Sequence, residues 1–129
     1  MAGRFLLDTN IVIALFAQDA GVLQRLEEAE EVFLPSIFLG ELYYGARKSA
    51  KTEANVSRVD ELAERSSVLV CDGETAQHYG EVKNLLRVKG RPLPENDIWV
   101  AAVALQHGLI LVTRDAHFNE IADLIVVAW

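Results

Sequence analysis

Arg4-Phe5-Leu6-Leu7-Asp8-Thr9-Asn10 is a short apolar run that stops on an acid, and Ile11-Val12-Ile13-Ala14-Leu15-Phe16-Ala17 continues it as an apolar stretch of helical length. A strand that ends in a polar corner and feeds a helix is the first half of a crossover unit, and the pattern recurs along the chain. The predicted strands are Arg4 to Asp8, Glu31 to Leu34, Ser67 to Cys71, Leu109 to Thr113 and Leu124 to Ala128. Helices are predicted over Asn10 to Ala17, Ala20 to Glu30, Ser36 to Ser49, Glu53 to Arg65, Gly73 to Lys89 and Asn96 to His107, with a short helical turn over Ala116 to Ile121. Short apolar runs separated by longer amphipathic ones give an α/β class with parallel strands and crossover helices. In segment 53–65, Val56, Val59, Leu62 and Ala63 recur at helical spacing, with Arg58, Asp60, Glu61 and Glu64 between them. One face is therefore apolar and one wet. Residues 98–105 are apolar all round and predict a helix buried on several sides. Gly90-Arg91-Pro92-Leu93-Pro94 breaks the chain before it.

With 129 residues, 51% hydrophobic and 24% charged, the chain fits a single domain over 1–129, large enough to bury roughly two thirds of its unfolded surface. The single cysteine, Cys71, cannot form an internal disulfide, which fits a reducing compartment and predicts a cytoplasmic protein. At the end of a buried strand Cys71 is expected to act as a small hydrophobe. The longest apolar runs fall well short of the ~18 residues that suggest a membrane span, so no membrane partner is expected. Asp8 and Asn10 interrupt the apolar centre a signal peptide needs, and Met1 is read as the start of the mature protein. Twelve Lys and Arg against 19 Asp and Glu leave a net charge of -7. That sign does not suit phosphate binding by basic residues alone. Either the partner is cationic or metal ions intervene.

Ligands of an open parallel sheet collect beyond the carboxyl ends of its strands. Asp8 closes the first predicted strand there and Asp115 follows the fourth. Glu41 lies one turn into the third helix, beside the row Phe38, Leu42, Ala46 that marks its buried side. Asp97 stands in the first turn of the apolar helix, where the helix dipole favours a carboxylate. Each acid has a plain structural reading: Asp8 and Asp115 as helix caps, Asp97 as a first-turn acid, Glu41 as a solvated edge residue. Together they read differently, because gathered carboxylates are costly without protons or cations, and an all-oxygen set suits Mg²⁺ or Mn²⁺. Asp72 is read as the cap before Gly73-Glu74-Thr75, and Asp19, Glu95 and Glu120 as solvated.

Four stretches carry a resemblance in order along the chain: Leu7-Asp8-Thr9-Asn10; Glu41-Leu42-Tyr43-Tyr44-Gly45-Ala46, preceded by Pro35-Ser36; Asn96-Asp97-Ile98-Trp99-Val100-Ala101-Ala102; and Thr113-Arg114-Asp115-Ala116-His117-Phe118. The chain resembles the PIN-domain ribonucleases, and more closely the VapC-type toxins of toxin-antitoxin pairs. The resemblance implies a sheet of order 3-2-1-4-5 with Asp8 and Asp115 side by side. It implies that Asp8, Glu41, Asp97 and Asp115 coordinate Mg²⁺ or Mn²⁺, with Thr9, Asn10 and Thr113 as hydrogen-bonding partners behind them. It also implies RNA as substrate, a small antitoxin protein whose basic tail enters the acidic cleft, and a homodimer.

Two basic clusters, Arg47, Lys48, Lys51 and Lys83, Arg87, Lys89, Arg91, are candidate RNA contacts or simply solvated helix faces. Tyr43, Tyr44 and Trp99 are candidates for base stacking or for the core. His117 is read as a packing or capping residue, and His78 and His107 as helix residues without special chemistry. The other functions the pattern allows are a housekeeping RNA-processing nuclease, a PIN-like interaction module without catalysis, and a phosphatase of small phosphoesters. The last lacks its usual pair of aspartates after the first strand, because Asn10 stands in the second position.

Overall fold

Leu6 and Leu7 are 0% and 1% exposed, as required of a strand covered on both faces. In the computed structural model, which describes residues 3–129, their strand β1 (Arg4–Leu7) lies at the centre of a five-stranded sheet. The expected start of the mature chain at Met1 lies outside the described residues. The other strands are β2 (Glu31–Pro35), β3 (Ser67–Leu69), β4 (Ile110–Val112) and β5 (Val126–Val127). Their order is β3-β2-β1-β4-β5 and every pairing is parallel. This is the order 3-2-1-4-5 that the resemblance implies. The helices are α1 (Thr9–Phe16), α2 (Ala20–Glu28), α3 (Ser36–Arg47), α4 (Thr52–Arg65), α5 (Gly73–Lys89) and α6 (Glu95–His107), followed by a short 3-10 turn at Ala116–Glu120.

Alternation along the strands sorts the core into two halves. Leu6, Phe33 and Leu111 face one side, where Phe38, Val82, Leu86, Ile98, Val103 and Phe118 meet them. Leu7, Leu34 and Val112 face the other, against Ile11, Val12, Val22, Leu42 and Val59. α3 serves both halves, since Phe38 belongs to the first and Leu42 and Ala46 to the second. α6 buries Ile98 and every residue from Val100 to Ala104, as its all-round apolar sequence predicts. Its end and that of α5 are set by Gly108 and Gly90, whose φ of 63° and 67° is the left-handed conformation that glycine adopts without Cβ strain.

Several boundaries differ from the sequence reading, for identifiable reasons. Asp8 leaves β1 to become the N-cap of α1, its side chain accepting from the Thr9 N–H. The third strand ends at Leu69 and is largely exposed at the sheet's edge, so Cys71 lies beyond it on the surface rather than in a buried strand. β5 shrinks to two residues, leaving Leu124 to pack as a core residue before it. Asp72 is a cap as expected, in a reciprocal box with Thr75. Asp19 is not merely solvated: it caps α2 through Val22 N–H at 3.1 Å.

Truncating a residue packed from both faces leaves a cavity. Leu6→Ala is expected to lower unfolding free energy by about 3 kcal/mol, whereas Val88→Ala, at a side chain 70% exposed, changes it by less than about 0.5 kcal/mol. Urea denaturation measures both, and a near-neutral Leu6→Ala would contradict the central position of β1.

Candidate active site

Parallel strands deliver their carboxyl ends to one edge of the sheet, and β1 and β4 are neighbours there. Leu7 is in register with Val112, and Asp8 N–H donates to the Val112 carbonyl at 3.0 Å. Asp8 is therefore set against Thr113-Arg114-Asp115. One Asp8 oxygen accepts from Thr9 N–H at 2.6 Å. The other accepts from Thr113 Oγ1 at 2.6 Å and Asn10 Nδ2 at 3.2 Å. Thr113 Oγ1 in turn accepts from Asp115 N–H at 2.9 Å, and Asn10 Oδ1 from Arg114 N–H at 3.2 Å. Thr9, Asn10 and Thr113 thus fix both acids to one frame.

The capping readings of Asp8 and Asp115 hold as local descriptions, since Asp115 Oδ1 accepts from His117 N–H at 3.0 Å. They do not exhaust the site. Asp8 is only 6% exposed, and burial pushes its pKa up despite the opposing hydrogen bonds from Thr113 and Thr9, with Asp115 adding repulsion. Asp97, half-buried in the first turn of α6, is pushed up to about 6 by burial and by the charges of Asp8, Asp115 and Glu41. Glu41 is exposed on α3 and is tied to α6 by Asn96 Nδ2, which donates to its Oε2 at 2.9 Å. Asp8, Asp115 and Glu41, from three other stretches of chain, are thus all brought within electrostatic reach of Asp97.

Among the described residues no three acidic, histidine or cysteine side chains stand in a ready coordination cage. The donor set itself, four carboxylates with hydroxyl and amide groups behind them, has the hard-oxygen chemistry that Mg²⁺ and Mn²⁺ prefer. The residues fit such an ion by type.

Some supporting contacts were not read from the sequence. Arg114 clamps the site's rear, its Nη2 3.0 Å from Asp19 Oδ2 and its Nε donating to the Trp129 carbonyl at 2.8 Å. Its place between Thr113 and Asp115, a cation inside an acidic motif, is the signal that could have marked it. His117 is exposed rather than packed, with Nδ1 2.9 Å from Asp115 Oδ1.

The two basic clusters also separate. Lys83 pairs with Glu95 at 2.5 Å and Lys89 with Glu120 at 3.4 Å, so those two glutamates are engaged rather than simply solvated. Arg87 donates to Asn84 at 2.9 Å. Arg47, Lys48 and Lys51 form no ion pair among the described residues. Tyr43 donates to Asp60 at 2.5 Å, and Trp99 stacks on Tyr79 with centroids 4.0 Å apart.

Comparison with known proteins places this geometry. A family model described as "PIN domain" matches residues 5–124. The chain is 35% identical over 129 residues to "Ribonuclease VapC2" of Haemophilus influenzae, covering 98% of each chain. It is 33% identical, again over 98% of each, to "tRNA(fMet)-specific endonuclease VapC" of Shigella flexneri. It also superposes on a chain of the crystal structure of VapBC2 from Rickettsia felis, bound to a DNA fragment from their promoter. That match has a TM-score of 0.90 at 30% identity and covers 98% of both chains.

The charge repulsion has a measurable sign. Because the folded-state pKa of Asp97 is raised from 3.8 to about 6, the folded protein bears no penalty from this group below 3.8, acquires it as pH rises from 3.8 to about 6, and carries it in full above that. Two pH units would correspond to ~3 kcal/mol at full burial, and solvent screening of a half-buried group reduces this to about 1.5 kcal/mol. Asp97→Asn is therefore expected to stabilise the chelator-treated protein at neutral pH, with the gain vanishing as pH falls. Equal stability of the two proteins at neutral pH would refute the strained cluster.

Proposed function

The chain belongs to the PIN-domain family, and within it to the VapC ribonucleases, and on that footing we propose that it is an Mg²⁺- or Mn²⁺-dependent endoribonuclease acting in the cytoplasm as the toxin of a type II toxin-antitoxin pair. The observation that carries this reading is the meeting of Asp8 and Asp115 at the ends of adjacent strands through Thr113, with Asp97 on α6 and Glu41 on α3 brought up to them. Such a cluster is costly in the free protein and is relieved by a divalent cation.

Asp8, Glu41, Asp97 and Asp115 would hold the ion. When bound, it supplies charge neutralisation for the approaching phosphate and lowers the pKa of the attacking water. Thr113 and Asn10 keep the Asp8 carboxylate oriented, Asn96 does the same for Glu41, and Asp8 or Asp115 accepts the proton that water gives up. Water's oxygen joins the phosphorus as the bond to the 3′ oxygen breaks. That oxygen takes a proton from solvent and leaves as the 3′ hydroxyl, and the downstream fragment carries the 5′ phosphate.

The acids that attract a metal ion attract Arg and Lys by the same Coulomb term. A small antitoxin with a basic tail would therefore silence the site by occupying it. A cavity of about 420 Å³, lined by Thr9, Ile13, Phe16, Glu41, Gly45 and Arg58 among others, opens beside Glu41 and gives the tail room to lie. A homodimer is part of the same reading. No helix among the described residues is long and apolar enough to cross a membrane.

Freed of any partner, the protein is expected to cut RNA internally in Mg²⁺ or Mn²⁺, to stop in chelator, and to leave 5′-phosphate ends. Asp97→Asn should reduce the rate by about a hundredfold or more, the scale of losing one charged contact to the transition state. Gel analysis of end-labelled RNA reads both. Unchanged cutting by Asp97→Asn would reject the site, and phosphate release from nucleotides without RNA cleavage would reject the nuclease.

A further inference from the structure

Helical spacing places Glu41, Tyr44 and Lys48 on one stripe of α3, at steps of three and four residues. Tyr44 lies about 4.5 Å and Lys48 about 10 Å along the axis from Glu41. The Tyr44 ring is 66% exposed, and the Lys48 ammonium stands 4.9 Å from its centroid. The stripe runs into Arg47-Lys48-Ser49-Ala50-Lys51-Thr52, which contains three cations and no acid in a chain of net charge -7. The negative end of the α3 dipole accounts for cations at its C-terminus. It does not account for a large aromatic face left in water beside them.

Elsewhere the rings near the acids are spoken for. Trp99 has one face covered by Tyr79 at 4.0 Å with the planes 15° apart, and the Tyr43 hydroxyl is held by Asp60. Tyr44 is the ring left mostly exposed, with Lys48 near it, and the cations that follow on the stripe form no ion pair among the described residues. An exposed aromatic plane flanked by free cations has the chemistry that binds a single strand, stacking on a base while the cations meet phosphates. A duplex offers no free base face at such a site.

We propose that Tyr44 is a stacking platform for one unpaired base next to the scissile phosphate, and that Lys48 is the counter-charge for the adjoining phosphate. The strand then runs from the acids along α3 toward Lys51. This deepens the ribonuclease reading and rests on it for the identity of the nucleic acid: it names two residues outside the acids, Tyr44 and Lys48, that position the strand.

The test is fluorescence anisotropy of a fluorescein-labelled single-stranded RNA oligonucleotide in Mg²⁺, with Asp97→Asn as background so that the probe is not cut. Adding Tyr44→Ala should weaken binding about tenfold, within the range found for loss of one base-aromatic stack. Tyr44→Phe and Tyr44→Trp should stay within about twofold of the parent. Lys48→Gln should lower the slope of log affinity against log salt by about 0.7, the value of one single-strand phosphate contact. The same sequence as a duplex should bind without regard to residue 44. Unchanged affinity in Tyr44→Ala would overturn the proposal and leave the stripe to a protein partner or to solvent. A loss in Tyr44→Phe equal to that in Tyr44→Ala would overturn it too, by making the hydroxyl rather than the ring face the binding group. Cleavage by the wild-type chain is scored separately. Absence of cutting with the ring dependence intact sinks only the nuclease reading, and cutting without ring dependence sinks only the platform.

Discussion

The hydrogen bond that Thr113 Oγ1 donates to Asp8 Oδ2 at 2.6 Å ties the carboxyl end of β4 to that of β1, and the acidic site is assembled around it. A hydrogen bond to a charged acceptor contributes about 1.5–3 kcal/mol, comparable in scale to the penalty of holding a carboxylate away from water. The same hydroxyl receives the Asp115 N–H, so one threonine sets the positions of two acids. Thr113 can do this only because β4 lies beside β1. Had the crossover placed β4 at the sheet's edge, Asp8 would have been left with only its local donors, Thr9 and Asn10.

The remaining acids are held by different means. Asp97 sits on a helix whose next turns, Ile98 and Val100 to Ala104, are buried on every side, so it cannot withdraw from Asp8 and Asp115 without disturbing the core. Glu41 is exposed on a longer side chain and is steadied by Asn96 across the gap between α3 and α6. Close packing is stiff, and the stiffness keeps like charges facing one another. The cluster is thus a region where stability has been given up locally, sustained by apolar burial on both faces of the sheet.

Much of this was legible in the sequence because it depends on period and order. Alternating elements specify a parallel sheet, and the family resemblance carried by the four motifs implies which strands meet. What stayed illegible depends on contacts between distant side chains. Arg114 reads as one more surface cation until its guanidinium is seen against Asp19 and the Trp129 carbonyl. Asp19 reads as solvated until both Val22 and Arg114 are found on it. Cys71 was misplaced because Ser67-Val68-Leu69-Val70 has strand composition, while the sheet pairs only Ser67 to Leu69. An edge strand lacks the second neighbour that would continue the ladder.

The margins of that sheet have a bearing on how the molecule behaves among its own copies. β3 spans three residues and β5 only two, while Val70 and Ile125 beside them are each 62% exposed. Long flat borders with apolar flanks would capture further strands and polymerise. These borders, three and two residues long, are too brief to template such growth.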